Sequence, residues 1–323
     1  MLTRRYFLRC LTAAAAAAAL PLPAFARHDV TAETRLMMGT FVTIKTSGVS
    51  SVHAADAMGA AFERMAGLVE ELTRFDSASP LGQLNASGQL RDAPLPLLDV
   101  SRFAARMHAL TDGAFDPTVL SLLEVLERNA DAGIDARELA EASALVGMPH
   151  VRIEGRDIRF SREGMKMSLD GIAKGYVADE GARALRAAGV SDFLIDAGGD
   201  IVAGGGKQGA PWRVAVENPE KYRGKTGYPA VIALNNRAVA TSGIYENVLD
   251  SRGNVNHLID PATGRCAVLP GASVLAPTAM EADALATALC VMAAPVAFME
   301  NVPRAACLIT LPEGELQQSS RWG

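Results

Sequence analysis

The sequence predicts an α+β fold in which mixed or antiparallel sheets are flanked by helices. Helical periodicity and strand alternation both recur along the chain, several strand candidates follow one another with no helix between them, and no internal repeat is present. With 323 residues, 49% hydrophobic and 21% charged, the chain can bury a substantial core and is neither disordered nor fibrous. The length accommodates one large domain or two interleaved lobes. A formal net charge of −5 argues against a nucleic-acid partner.

Taken in order, residues 40–46 (TFVTIKT) alternate apolar and polar and predict a strand. Residues 52–74 carry apolar side chains three and four apart and predict an amphipathic helix. A polar loop is expected over 75–95, a helix over 97–111 ended by Asp112-Gly113, and a helical stretch over 120–146 broken around 129–133. Short strands are expected at 150–153 and 157–160, an Ala-rich helix over 175–188, and a strand at 192–195 entering a Gly-rich stretch. Further strands are expected at 212–216, 229–234 and 237–241, the last two joined by a tight Asn235-Asn236 turn. A helix over 280–293 and a strand near 306–310 complete the pattern.

Residues 1–26 have a basic start, an apolar run from Leu11 to Leu20 and the ending Ala24-Phe25-Ala26, the pattern of a cleaved secretory signal. Arg4-Arg5 inside Thr3-Arg4-Arg5-Tyr6-Phe7-Leu8-Arg9 fits a bacterial twin-arginine signal. The expected product is residues 27–323, periplasmic, with 28 basic and 36 acidic side chains. It keeps Cys266, Cys290 and Cys307, which form no C-x-x-C and are expected as buried thiols.

No G-x-S-x-G, H-E-x-x-H, Rossmann or P-loop pattern is present. Three segments carry candidate chemistry. In Asp170-Gly171-Ile172-Ala173-Lys174-Gly175-Tyr176 a glycine turn enters a helix with a lysine at its mouth, which suits a phosphate-like anion. The same residues also fit an ordinary loop-to-helix cap. In Glu281-Ala282-Asp283-Ala284-Leu285-Ala286-Thr287, Asp283 and Thr287 share a helix face and offer hard oxygen ligands suited to Mg²⁺. An exposed Asp near a helix start and a Thr bonded to its own turn fit as well. His257, in Asn256-His257-Leu258-Ile259-Asp260-Pro261, is a candidate proton acceptor, while Asp260 organises the turn. His28, His53, His108 and His150 stand in no comparable setting.

In sequence order these segments resemble the ApbE family of flavin transferases over nearly the whole mature chain. The resemblance rests on Met38-Gly39-Thr40-Phe41, on Phe75 with Ser79-Pro80-Leu81-Gly82-Gln83-Leu84-Asn85, and on Gly113-Ala114-Phe115-Asp116-Pro117-Thr118. It continues through Asp170 to Tyr176, Ala197-Gly198-Gly199-Asp200, Thr241-Ser242-Gly243, His257-Leu258-Ile259-Asp260-Pro261 with Thr263-Gly264, and Ala282 to Thr287. It implies a T-fold-like, two-lobed architecture and a Mg²⁺-dependent enzyme. Such an enzyme transfers the FMN half of FAD to a threonine or serine hydroxyl of a partner flavoprotein, and AMP leaves. The Ser-Leu-x-Gly-Ile-Ala variant is similar to the NosX-like branch, which implies a membrane-bound redox subunit exposed to the periplasm as acceptor.

By the same resemblance, Asp283, Thr287 and the Gly171 carbonyl match metal ligands. Lys174 matches a flavin-nucleotide contact, and Met38, Phe75, Ala114, Phe115, Asp116, Ser168 and His257 match other FAD-contacting positions. The sequence departs from many relatives at Ser168, where they carry Asp, and at Ala286, where some carry a second Asp. FAD hydrolysis to FMN and AMP, and flavin binding without catalysis, are the alternatives that the residues leave open. No D-G-x-[ST]-G-A-T-like segment is present, so self-modification is not expected.

Overall fold

A computed structural model describes residues 30–219 and 226–323; the signal expected at 1–26 lies outside the described residues. The strands are β1 (Thr31–Met37), β2 (Thr40–Ser47), β3 (Gln89–Leu90), β4 (Val151–Glu154), β5 (Asp157–Phe160), β6 (Asp192–Ala197) and β7 (Ile201–Gly204). They continue with β8 (Trp212–Ala215), β9 (Val231–Leu234), β10 (Arg237–Gly243), β11 (Gly271–Ala276), β12 (Ala306–Thr310) and β13 (Leu316–Gln318). Eight of them form one sheet in the order β1-β2-β6-β7-β10-β11-β12-β13, every neighbouring pair antiparallel. β3-β5-β4 and β8-β9 make two smaller sheets.

Alternation along the strands sorts the core onto two faces. Val42, Ile44, Phe193, Ile195, Val202, Ala240, Val274 and Ile309 join the principal core with helices α1 (Ser51–Leu72), α6 (Ala173–Ala187) and α7 (Ala279–Leu289). Their neighbours Leu194, Ile201, Val239, Leu275 and Leu308 pack instead with Trp212, Val214, Ile232 and Leu234 of the β8-β9 ribbon. The central strands are therefore covered on both faces. A third cluster joins Leu120, Leu122, Val125 and Leu126 of α4 (Leu120–Asn129) to Ala142 of α5 (Ala136–Ser143) and Ile259.

The structure corrects two local expectations. The expected polar loop contains α2 (Pro80–Ser87), capped by Ser79 Oγ accepting from Gly82 N and closed by Gly88 at φ 71°, followed by β3. Asn235-Asn236 does not make a hairpin, because β9 pairs with β8 while β10 pairs with β7 and β11. α3 (Leu95–Leu110) and α8 (Pro295–Met299) complete the α-helices among the described residues, and no helix there is long and apolar enough to cross a membrane.

The site is positioned by the crossing of α6 and α7. A β-carbon on Gly175 would lie 2.3 Å from the Ala279 carbonyl oxygen, so the backbones touch only because that residue is glycine. Each helix caps the other. Asp179 of α6 accepts from the Ala279 and Met280 N–H groups of α7, both at 2.9 Å. Asp283 of α7 accepts from the Gly175 N–H of α6 at 3.1 Å. These donors are among the groups that a helix start leaves without intrahelical partners.

Gly175→Ala is expected to cost about 1–3 kcal/mol by forcing the helices apart. Asp179→Ala is expected to cost about 2 kcal/mol by stripping two buried donors of their acceptor. Thermal denaturation checks both, and Asp179→Asn, which keeps one acceptor oxygen, is expected to fall between wild type and Asp179→Ala.

Candidate active site

Lys174, Asp200 and Asp283 form a charged cluster beside the helix crossing. Lys174 Nζ lies 3.2 Å from Asp200 Oδ2. Asp200 ends the Gly198-Gly199 turn between β6 and β7 and is 1% exposed; Oδ2 is at ion-pair distance but makes no aligned hydrogen bond. A β-carbon on Gly198, at φ 70°, would lie 2.5 Å from Thr40 Oγ1, so this turn presses against the start of β2. Asp283 is 3% exposed.

Two buried carboxylates face one ammonium. Burial pushes the Asp283 carboxyl well above its ordinary value, and the Asp200 charge pushes it further; Lys174 and the Gly175 N–H only partly offset them. Asp200 is raised by burial against the opposing pull of Lys174. Lys174 is raised by Asp200 first, and Asp283 and Glu246 add to it against its own burial. The cluster is short of positive charge, and in a low-dielectric setting that shortage is costly.

The three candidate metal ligands approach one another. Asp283 and Thr287 are one turn apart on α7. A β-carbon on Gly171 would sit 2.9 Å from Thr287 Oγ1, so the Gly171 backbone abuts that hydroxyl, as Gly175 abuts Asp283 one turn along α6. Ser242 Oγ lies 3.3 Å from Thr287 Oγ1. No hydrogen bond reaches Asp283 Oδ1 among the described residues, which leaves that oxygen for a ligand.

His257 sits within electrostatic reach of this cluster. Burial holds its imidazole below the ordinary 6.5, and Lys174 lowers it further, while the Asn247 carbonyl and Asp170 oppose the shift. Nδ1 lies 3.2 Å from the Asn247 carbonyl oxygen. A carbonyl cannot donate, so Nδ1 carries the proton and Nε2 keeps a free lone pair.

Phe75 is 77% exposed, with the Arg74 guanidinium 4.2 Å from its ring centroid; Arg74 Nε in turn donates to Asp170 Oδ2 at 2.7 Å. That chain ties the ring to the Gly171 turn. Ser168 joins two candidate segments: its N–H donates to the Pro117 carbonyl at 2.8 Å, and its Oγ accepts from Asp170 N at 3.1 Å. Met38 occupies the β1-β2 turn at φ 53°.

The segment 114–116 presents less than its sequence offers. Phe115 is in the core. Asp116 accepts from Thr118 N–H and Oγ1 at 2.8 and 2.5 Å and from Met148 N–H at 2.9 Å, with His108 Nδ1 at 3.2 Å. Burial raises this carboxyl, but His108, Thr118 and Met148 outweigh it and hold it below its ordinary value. Ala114 is half-buried against the principal core, and His108 has a structural partner in Asp116. Sequence reasoning gave no role to Asp179, Asp200 or Ser242. The Gly198-Gly199-Asp200 and Thr241-Ser242-Gly243 strings were the signals for the last two.

The ApbE family model matches residues 38–309. An FAD:protein FMN transferase of Klebsiella pneumoniae (strain 342) is 30% identical over 270 residues, covering 79% of this chain and 76% of that protein. An FAD:protein FMN transferase of Vibrio cholerae is 33% identical over 230 residues, covering 69% of this chain and 66% of that protein. Among solved structures, the ApbE protein of Thermotoga maritima superposes with a TM-score of 0.82 at 28% identity, over 90% of this chain and 97% of its own. The flavin transferase ApbE of Vibrio cholerae superposes with a TM-score of 0.76 at 26% identity, over 91% and 98%.

In an NMR titration His257 is expected to show the Nδ1–H tautomer and a pKa below 6.5, moving upward in Lys174→Ala. An Nε2–H tautomer, or a pKa unmoved by that substitution, would contradict the arrangement.

Proposed function

The chain belongs to the ApbE family, and we propose that it is a Mg²⁺-dependent FAD:protein FMN transferase acting on a threonine or serine hydroxyl of a partner flavoprotein. The observation that carries this reading is the buried Lys174–Asp200–Asp283 cluster at the α6–α7 crossing, with Thr287 and Gly171 beside it. Those residues fit a hard divalent cation. Asp283 Oδ1 accepts no hydrogen bond among the described residues, the Thr287 hydroxyl is one turn away, and Gly171 has no side chain to block the approach. The charge shortage of the cluster is what such a cation relieves. Asp283, Thr287 and the Gly171 carbonyl would hold it, and when bound it neutralises pyrophosphate oxygens.

The remaining work belongs to the chain itself. Lys174, held by Asp200, adds positive charge at the phosphates. Phe75 offers an exposed ring for flavin or adenine, and Met38, Ser168 and Ala114 are the further positions we propose to contact FAD. His257 Nε2 accepts the proton of the incoming hydroxyl. The hydroxyl oxygen bonds to the FMN phosphorus, the bond from that phosphorus to the bridging oxygen breaks, and AMP leaves with that oxygen. The acceptor gains one FMN in phosphoester linkage. With residues 1–26 read as a twin-arginine signal, the reaction takes place in the periplasm, and a membrane-bound redox subunit exposed there is the fitting acceptor.

Incubating residues 27–323 with FAD, Mg²⁺ and an acceptor domain, and following acceptor mass and AMP together, tests the reading. One FMN per acceptor with equimolar AMP is expected, and AMP without acceptor modification would replace transfer by hydrolysis. Asp283→Ala is expected to lower the rate by about 10³-fold or more. His257→Ala is expected to cost about 10²-fold and to remove an acid limb of the pH–rate profile that lies below pH 6.5 in the wild type. The sign follows from the base: protonation below its pKa removes the acceptor lone pair.

A further inference from the structure

At the opposite end of α7 from Thr287, two adjoining cavities of about 290 and 110 Å³ share Asn236, Arg237 and Pro277. Arg304 and Arg321 line the larger, and Arg183 and Arg186 the smaller. Five arginines thus converge from α6, β10, the approach to β12 and the chain end, in a protein whose net charge is negative. Asp179 is the acidic side chain in the wall, and both its oxygens are taken by the α7 N–H groups.

The five are not equivalent. Arg321 donates to the carbonyls of Ala305, Met299, Glu300 and Val302 and fastens the chain end. Arg183 pairs with Glu180. Arg237 spends one donor, at 3.0 Å, on the Arg304 carbonyl. The Arg186 and Arg304 guanidinium groups donate no hydrogen bond and form no ion pair among the described residues; Arg186 lies over the Phe193 ring, and Arg304 feels Glu281 at longer range. Arg304 also holds φ at 63°, and Asn236 in the same wall at 51°. Left-handed backbone disfavours a long side chain such as arginine.

We propose that this groove is a second ligand site, for a phosphate-bearing anion with at least two charged oxygens, such as a pyrophosphate or a phosphate monoester. Unpaired guanidinium forks match planar oxyanion edges and bind them through paired N–H donors. The concave form and the volume suit a small ligand more than an extended acidic segment. Thr278 and Thr287 are nine residues apart on α7, roughly 13 Å, so occupancy here leaves the flavin site open.

Calorimetric titration of residues 27–323 with sodium pyrophosphate, in EDTA and with FAD present, tests the proposal. Saturable binding is expected, weakened at least tenfold by Arg304→Gly and by Arg186→Gln and retained in Lys174→Ala. Glycine accepts φ 63°, so Arg304→Gly should fold at least as well as the parent, and its melting temperature checks this. Co-sedimentation with phosphatidylglycerol vesicles that depends on Arg304 would assign the phosphate to a lipid headgroup; free pyrophosphate binding without it assigns a soluble anion. No binding to either, binding unchanged in both arginine variants, binding lost in Lys174→Ala, or binding of an oligoglutamate peptide in place of pyrophosphate would each overturn the proposal.

Discussion

The Gly175 N–H has no partner inside its own helix and no room to reach water, because α6 and α7 meet there at backbone contact. It takes Asp283 Oδ2 as acceptor, and the start of α7 takes Asp179 in return. Two carboxylates, each four residues beyond the contact point on its own helix, cross over to cap the other. This exchange fixes the rotation of α7, and with it the direction of Asp283 and Thr287. A carboxylate that merely sat on an exposed helix face would have neither that fixed direction nor that burial.

The electrostatic character of the site follows from the same packing. Asp283 gives one oxygen to the fold and keeps the other, so it enters any chemistry as an incompletely compensated buried charge. Lys174 precedes Gly175 on α6 and reaches Asp200 on the β6-β7 turn, a turn that exists in this form because Gly198 tolerates Thr40 at its back. Sheet, turn and helix crossing thus converge on a cluster in which two carboxylates share one ammonium before any ligand arrives. Preorganised charge of this kind is where phosphoryl-transfer sites draw most of their power.

The legible parts of the sequence were those whose periodicity reports one buried face. Met58, Phe62, Met65 and Leu68 recur at helical spacing, and the helix expected at 52–74 is Ser51–Leu72. β11 (GASVLA) and β7 (IVAG) carry no strand signal in sequence because they are covered on both faces, so no regular polar alternation marks them. α2 was hidden in a polar stretch although Ser79-Pro80 starts it and Gly88 ends it. Asn235-Asn236 reads as a hairpin turn from adjacency in sequence alone, whereas the chain there passes between sheets. The spacing of Asp283 and Thr287 and the lysine at a helix mouth are legible in the sequence itself, the Gly171 carbonyl enters only through the resemblance, and the fold brings these residues near one another. Asp179 and Asp200 were not given roles, because their meaning lies in partners distant along the chain. Asp116 carried its chemistry inward, which no local pattern announced.

In the proposed site Asp283 divides its carboxylate between the start of α6 and a metal ion bound against the phosphates of FAD. The most direct measurement is paramagnetic relaxation of the ³¹P signals of bound FAD by Mn²⁺, compared between wild type and Asp283→Asn. Asparagine can keep the bond to the Gly175 N–H while giving up the charge, so the fold is held constant, and a melting curve verifies it. Strong broadening of both pyrophosphate signals is expected in the wild type, and its loss in Asp283→Asn with FAD still bound. Equal broadening in the two proteins would place the metal elsewhere and remove Asp283 as its ligand.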